Sequence, residues 1–330
     1  MFQAHLHFAF HGIANAASSD FNNLRSDCTV LLEGFQPMLM FTMSPLTLLF
    51  CVTVVSISLG QSKRELKDIV YAEVSAQKLL LDIYFPQGNT NTSPYLVVWV
   101  HGGAWHSGSK ASPPLSFVRS GYALASIDYR LSGEAKFPAQ IHDIKAAIRY
   151  LRANAGRYGY NPDKIIIAGS SAGGHLAALV GVTNHDKFLE GDLGQFKGTN
   201  SSVQAIINYY GPTNFTTILK QSTPHGVGVR GPAMALLLGQ TVDNAPELAK
   251  KASPVLQVDA NDPPLLIFHG DQDIQVPINQ SHELVGAYKR NNLKVHLEVV
   301  HGGGHSDTPY FDPEYQSITE KFLADVLEKN

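Results

Sequence analysis

Cysteine is almost absent from this chain of 330 residues: Cys28 and Cys51 are the only two, and both fall within the first 60 positions. The rest of the chain therefore has no disulfide framework and no cysteine nucleophile, so covalent chemistry would have to come from another side chain. A large core makes cross-links dispensable even in an exported domain. An excess of charge is also lacking. The formal net charge is -3, and most of it comes from the first 60 positions, where Arg25 stands against Asp20, Asp27 and Glu33. That balance excludes the basic footprint of a nucleic-acid-binding protein and a basic membrane-binding face. The chain has no internal repeat and no low-complexity segment. At 44% hydrophobic and 16% charged residues, it is long enough for one large α/β domain with a substantial core.

Residues 39–60 contain no charged residue and are most apolar over 46–55. Ser58 and Gly60 supply small residues at the -3 and -1 positions of a cleavage site. The pattern predicts a signal peptide at 38–60 whose true start is Met38, Met40 or Met43, and hence a secreted or periplasmic protein with no membrane span in its mature form. No Lys or Arg lies between Met38 and Gly60, so an uncleaved membrane anchor over 39–60 is the alternative. Phe50 before Cys51 argues against a lipoprotein signal, which needs a small residue there. Residues 1–37 show no sustained periodicity and read as an unstructured upstream segment; His5, His7 and His11 are not read as a metal tract. The folded domain is expected over 61–330.

From Asp68 onward, strand and helix patterns alternate. Residues 69–71 and 79–85 read as an opening hairpin. The runs at 95–100, 122–127, 164–168, 203–210, 264–269 and 294–300 read as further strands, the near-continuous apolar ones being buried on both faces. Ile141, Ile144, Ile148 and Leu151 form one stripe of an amphipathic helix, with Pro138 in its first turn and Gly156 beyond its end. Helical patterns also follow the 164–168 strand and run through 278–290 and 313–328. The alternation predicts an α/β fold with a mostly parallel central sheet and helices on both faces. Residues 212–254 break the pattern. They are rich in Gly, Pro and Thr and read either as a small cap-like excursion over the sheet edge or as helices packed on the core.

The chemistry centres on Gly169-Ser170-Ser171-Ala172-Gly173, a G-x-S-x-G pattern between a buried strand and a helix. There it becomes a nucleophile elbow: small residues permit a sharp turn, and Ser171 is exposed at its tip. A serine nucleophile needs a base, an orienting acid and oxyanion donors. His101-Gly102-Gly103-Ala104-Trp105 ends the strand 95–100, and the N–H groups of Gly102 and Gly103, with that of Ala172, would form the oxyanion hole. The segment after the strand 264–269 offers Asp271 and Asp273. Asp273 is favoured because it lies later in the loop, just before the apolar Ile274-Gln275-Val276-Pro277 anchor. After the last strand come His301 and His305. His305 is favoured because Gly302, Gly303 and Gly304 let its loop fold back over the sheet, whereas His301 sits at the strand end. The order Ser171, Asp273, His305 is that of an α/β-hydrolase fold.

On these residues the chain resembles the esterase/lipase branch of the α/β-hydrolases that carries an HGG-x-W motif, in particular the bifunctional feruloyl and acetyl-xylan esterase-like group. The matching stretches are 101–105, Asp128-Tyr129-Arg130-Leu131, 169–176, Glu190-Gly191-Asp192-Leu193-Gly194, 269–277 and 303–305, spread over about residues 68–328. Ala104 is a departure, since many relatives have a third glycine there. The resemblance implies Ser171, Asp273 and His305 as the triad. It further implies a serine carboxylesterase acting on acetyl or feruloyl esters of plant polysaccharide. The site itself favours short-chain acyl esters hydrolysed through an acyl-enzyme, with no metal or organic cofactor and a small-molecule or polysaccharide-linked ester as substrate. Two alternatives share the fold: a prolyl-oligopeptidase-like serine peptidase and a catalytically inactive binding protein.

Overall fold

The computed structural model describes residues 64–88, 93–184, 186–306 and 308–327, all within the compact unit Gln61–Asn330. The expected upstream segment and the signal or anchor segment lie outside the described residues. The described strands are β1 (Glu65–Val74), β2 (Gln77–Tyr84), β3 (Tyr95–Val100), β4 (Ala123–Ile127), β5 (Asn161–Ser170), β6 (Ala205–Tyr209), β7 (Leu265–Gly270) and β8 (Val295–Val300). They form one sheet in the order β1-β2-β4-β3-β5-β6-β7-β8. β1–β2 and β2–β4 pair antiparallel, and every later pair is parallel.

Strand periodicity divides the core between the two faces. Leu96, Val98, Val100, Ile165 and Ile167 pack into one apolar cluster. Their neighbours Val97, Trp99, Ile166 and Ala168 pack into the other. Alternate side chains point to opposite faces, so a strand segment covered on both sides must be apolar at every position, as β3 and the stretch 165–168 of β5 are. The helices are α1 (Ser116–Arg119), α2 (Ala139–Ala153), α3 (Ala155–Tyr158), α4 (Ala172–Gly181), α5 (Lys187–Glu190), α6 (Ile218–Gln221), α7 (Pro224–Leu238), α8 (Pro246–Lys251), α9 (Asn279–Arg290) and α10 (Pro313–Leu327). α2 and α4 cover one face through Ile141, Ile144, Ile148, Leu176 and Leu179. α10 covers the other through Phe322, Leu323 and Val326.

Two details depart from the sequence reading. The sheet begins at Glu65 rather than Asp68: the register of β1 breaks between Leu66 and Ile69, where Asp68 takes φ +54°. A bulge interrupts the period-2 signal, which hides the first residues of the strand. Gly156 lies beyond the end of α2, as expected, but inside a further short helix, α3, that the pattern did not show. The left-handed position that ends that helical stretch belongs to Gly159, φ +86°, where glycine avoids the Cβ penalty.

Residues 212–254 hold α6, α7, a 3-10 turn at Val242–Asn244 and α8. Met234, Leu237 and Leu238 of α7 join the core, while the N-terminal half of the helix lies against the loop after β7, where the Thr223 hydroxyl donates to the Ile274 carbonyl. Among the described residues no helix is long and apolar enough to cross a membrane, and no cluster of His, Cys, Asp and Glu is arranged to hold a metal ion.

Candidate active site

The elbow is dictated by close backbone approach. A Cβ on Gly173 would sit 2.0 Å from the Val100 carbonyl oxygen, and one on Gly169 would sit 2.4 Å from that of Gly173. Only glycine fits either corner. Between them Ser171 takes φ 53°, ψ -118° at the head of α4, a strained conformation for a residue with a side chain. It persists because its amide donates to the Tyr209 carbonyl of β6 and its own carbonyl accepts from His175 in α4.

The three residues expected to act together are brought together. The Ser171 hydroxyl oxygen lies 2.9 Å from His305 Nε2, and His305 Nδ1 lies 2.7 Å from Asp273 Oδ2. An ionised carboxylate can only accept, so Nδ1 carries the proton and donates it to Asp273. Nε2 is then the acceptor for the Ser171 hydroxyl. The His305 and Asp273 side chains are 5% and 0% exposed. Asp273 Oδ1 accepts from the amides of Gln275 and Val276, each at 2.9 Å. Burial opposes ionisation of this carboxyl, but hydrogen bonds from His269 and His305 and from the Val276 amide outweigh it and hold Asp273 well below the usual carboxylate range. The ring of Tyr210 meets that of His305 edge-on, 4.9 Å between centroids.

His269 is a partner that the sequence reading did not single out. It is fully buried. Its Nε2 lies 2.9 Å from the Val276 carbonyl and 3.4 Å from Asp273 Oδ2, while Nδ1 faces the Ser281 hydroxyl at 2.6 Å. Both groups near Nε2 are acceptors, so Nε2–H donates, and the ring pins the loop that carries the acid.

The expected oxyanion donors lie against the elbow. A Cβ on Gly102 would meet the Ser170 carbonyl at 2.9 Å and the Ser171 Cβ at 3.4 Å. Gly103, Ala104 and Trp105 have φ +109°, +49° and +62°. Left-handed backbone costs a non-glycine residue roughly 1–2 kcal/mol, so Ala104 and Trp105 hold a conformation that needs support. Trp105 supplies it. Its side chain is fully buried, its indole N–H donates to His175 Nδ1 at 3.0 Å, and its carbonyl accepts from Ser132 at 2.8 Å. His175 Nε2 then donates to the Ala252 carbonyl at 2.7 Å. Burial lowers the pKa of His175 to about 4, so the ring is neutral and holds both bonds near neutral pH. The link from oxyanion loop to Ala252 passes through two residues, Trp105 and His175, whose pairing no local pattern announces.

Other motif residues brace the frame. His101 stacks on Tyr129, 4.4 Å between centroids, and its carbonyl accepts from the Tyr129 hydroxyl. Arg130 grips the buried Asp143 of α2 through Nε and Nη2. Glu190 ties Arg149, Lys145 and the Ser201 hydroxyl together.

The second pair of candidates forms as well, but at the surface. His301 Nδ1 lies 2.9 Å from Asp271 Oδ2, with side chains 85% and 32% exposed. Among the described residues no hydrogen bond joins that pair to Ser171. One more residue faces the site unforeseen: Arg230 of α7, whose Nη2 lies 3.4 Å from His305 Nε2.

A mostly parallel sheet with its strand–turn–helix serine and a buried Ser–His–Asp line defines an α/β-hydrolase fold. The chain belongs to the BD-FAE family, whose model matches residues 81–288, a span that contains Ser171 and Asp273 and stops short of His305. It is 33% identical over 242 residues to esterase LipC of Mycobacterium tuberculosis, covering 72% of this chain and 58% of that protein; the chain thus spans little more than half the length of that relative. A solved truncated carbohydrate esterase from gut microbiota is 34% identical, with a TM-score of 0.74 over 81% of this chain and 97% of that one. Esterase 2 of Thermogutta terrifontis, solved with propionate bound, is 26% identical, with a TM-score of 0.63 over 78% of this chain and 93% of that one.

Proposed function

We propose that this protein is a serine carboxylesterase that hydrolyses short-chain acyl esters through an acyl-enzyme. The observation that carries the reading is the hydrogen-bonded line from Ser171 through His305 to Asp273, next to the glycine-lined loop at 102–103. His305 Nε2 removes the Ser171 proton as Oγ attacks the ester carbonyl. The N–H groups of Gly102, Gly103 and Ala172 bind the developing oxyanion. The imidazolium returns its proton to the leaving alcohol, and the acyl group stays on Ser171. Water, activated by the same nitrogen, releases the acid. Asp273 keeps the ring in the required tautomer and stabilises its charged form.

Acetyl or feruloyl esters of plant polysaccharide are the substrates we favour, supported by the 34% identity to a solved carbohydrate esterase. A propionate complex of a 26% identical esterase supports the short acyl range. Export by a signal at 38–60 suits such a substrate and rests on the sequence of that segment.

A fluorophosphonate probe should label Ser171, and Ser171→Ala should abolish labelling and lower turnover by about four to six orders of magnitude. Hydrolysis of p-nitrophenyl esters from two to sixteen carbons should peak at short chains. Each further CH₂ adds about 0.8 kcal/mol of binding only where apolar pocket remains. Unlabelled Ser171 would sink the esterase reading. A rise to the longest chain would replace the short-acyl substrate with a lipid.

A further inference from the structure

We infer that Arg230 is a specificity residue that recognises a carboxylate on the alcohol side of the ester. The inference rests on the esterase reading and deepens it. Arg230 is 1% exposed. Its Nη2 donates to Gln275 Oε1 at 3.0 Å and lies 3.4 Å from His305 Nε2. Its Nε and Nη1 are buried and have no partner among the described residues. A guanidinium taken out of water needs acceptors for its N–H groups and a counter-charge. The carboxylate whose charge acts on it is already committed: Asp273 accepts from His305, Gln275 and Val276, with His269 alongside. Burial lowers the pKa of Arg230 and Asp273 opposes that only as a neighbouring charge. The protein has left a buried cation half satisfied at the reacting centre.

Its position assigns the side of the substrate. His305 Nε2 hands its proton to the leaving oxygen, so that oxygen comes within hydrogen-bond reach of Nε2. A donor 3.4 Å from the same nitrogen flanks the leaving group. The guanidinium also opposes the positive charge that His305 acquires in the transition state. A carboxylate on the leaving alcohol removes that opposition, so it raises kcat as well as lowering KM. The substrate class is therefore acyl esters of carboxylate-bearing alcohols, acidic sugars and hydroxy acids among them.

The test compares 4-acetoxybenzoate with 4-acetoxybenzamide, which share an acyl group and differ in charge on the leaving phenol. The ratio of their kcat/KM values should fall about ten- to a hundredfold from wild type to Arg230→Gln, the range expected for a charge-assisted hydrogen bond. Arg230→Lys should restore part of it. 4-Nitrophenyl hemisuccinate against 4-nitrophenyl butyrate places the charge on the acyl side instead, and that ratio should not move. An unchanged acetoxybenzoate ratio, or a change confined to the hemisuccinate pair, overturns the assignment. Should Arg230→Gln fail to fold, wild type alone still decides. 4-Hydroxybenzoate should raise its melting temperature more than 4-hydroxybenzamide does, and equal shifts overturn the proposal. Wild type inactive on p-nitrophenyl acetate would mean that the esterase reading fails, while the melting shifts still report on Arg230.

Discussion

The loops after β7 and β8 meet twice, and the two meetings are nearly the same in their bonding. Asp273 accepts an imidazole N–H on one oxygen and backbone amides on the other. Asp271 does likewise, with His301 on Oδ2 and the Gly302 amide on Oδ1. The imidazole distances are 2.7 and 2.9 Å. What separates them is water. The inner pair has side chains 5% and 0% exposed, and the outer pair 85% and 32%. A carboxylate screened by solvent does little for its histidine. The same carboxylate in a dry site fixes the ring, and through it the serine. The comparison teaches that an Asp–His hydrogen bond is not by itself a catalytic feature. Burial, and a third group at the far nitrogen, give it that role. The outer pair instead pins the turn at Gly302, from which the chain returns through Gly303 to His305.

The largest expected difference is at the histidines. His305→Ala should lower kcat by about four to six orders of magnitude, since removing the base disables the triad as a unit. His301→Ala should stay within roughly tenfold of wild type, because surface substitutions seldom matter beyond their own contacts. Steady-state hydrolysis of p-nitrophenyl acetate measures both. Comparable losses in the two variants would erase the distinction between inner and outer pair.

The acids should differ by less. Asp273→Asn leaves the shape but presents His305 with the wrong tautomer, for a loss of about 10⁴ in kcat. Asp271→Asn should cost less than about tenfold, because its turn also has backbone support from the Asp271 amide to the Val300 carbonyl and exposed pairs contribute little. Near-wild-type kcat in the Asp273 variant would hand the role to another carboxylate.

Much of this was legible in the chain because local necessity writes itself locally. A turn too tight for any Cβ demands Gly169 and Gly173, and a strand covered on both faces demands the unbroken apolar run of β3. Choosing between Asp271 and Asp273 was harder. The deciding fact is that the loop buries Asp273 against His305, whose far nitrogen reaches Ser171, and only its later place in the loop and the apolar Ile274 and Val276 hinted at it. Arg230 was not legible at all. It is a single arginine in a glycine-rich helix, and its meaning depends on where α7 lands relative to His305. The same holds for Trp105 with His175, 70 residues apart, and for Glu190, which gathers Arg149 and Lys145 from α2. Such pairs follow from helix docking, which neither periodicity nor spacing encodes.

The smallest expected effect concerns stability in acid, and it sharpens the comparison. Both carboxyls are lowered in the fold: Asp273 through the bonds that outweigh its burial, and Asp271 chiefly through His301 and then the Gly302 amide. A carboxylate whose folded pKa lies below its unfolded value binds fewer protons when folded. Its contribution is complete above the unfolded value, near 3.8, and disappears as pH falls through the folded value. Urea midpoints of wild type and Asp273→Asn should therefore differ most near neutral pH and converge as the pH drops below about 4. Asp271→Asn should show the same sign with a smaller gap. Salt separates the two. At about 1 M the screening length is roughly 3 Å, so the gap of the exposed pair should shrink while that of the buried pair persists. Equal gaps at neutral pH with equal sensitivity to salt would mean that burial does not distinguish the pairs, and the reason for preferring Asp273 over its neighbour would then rest on the serine contact alone.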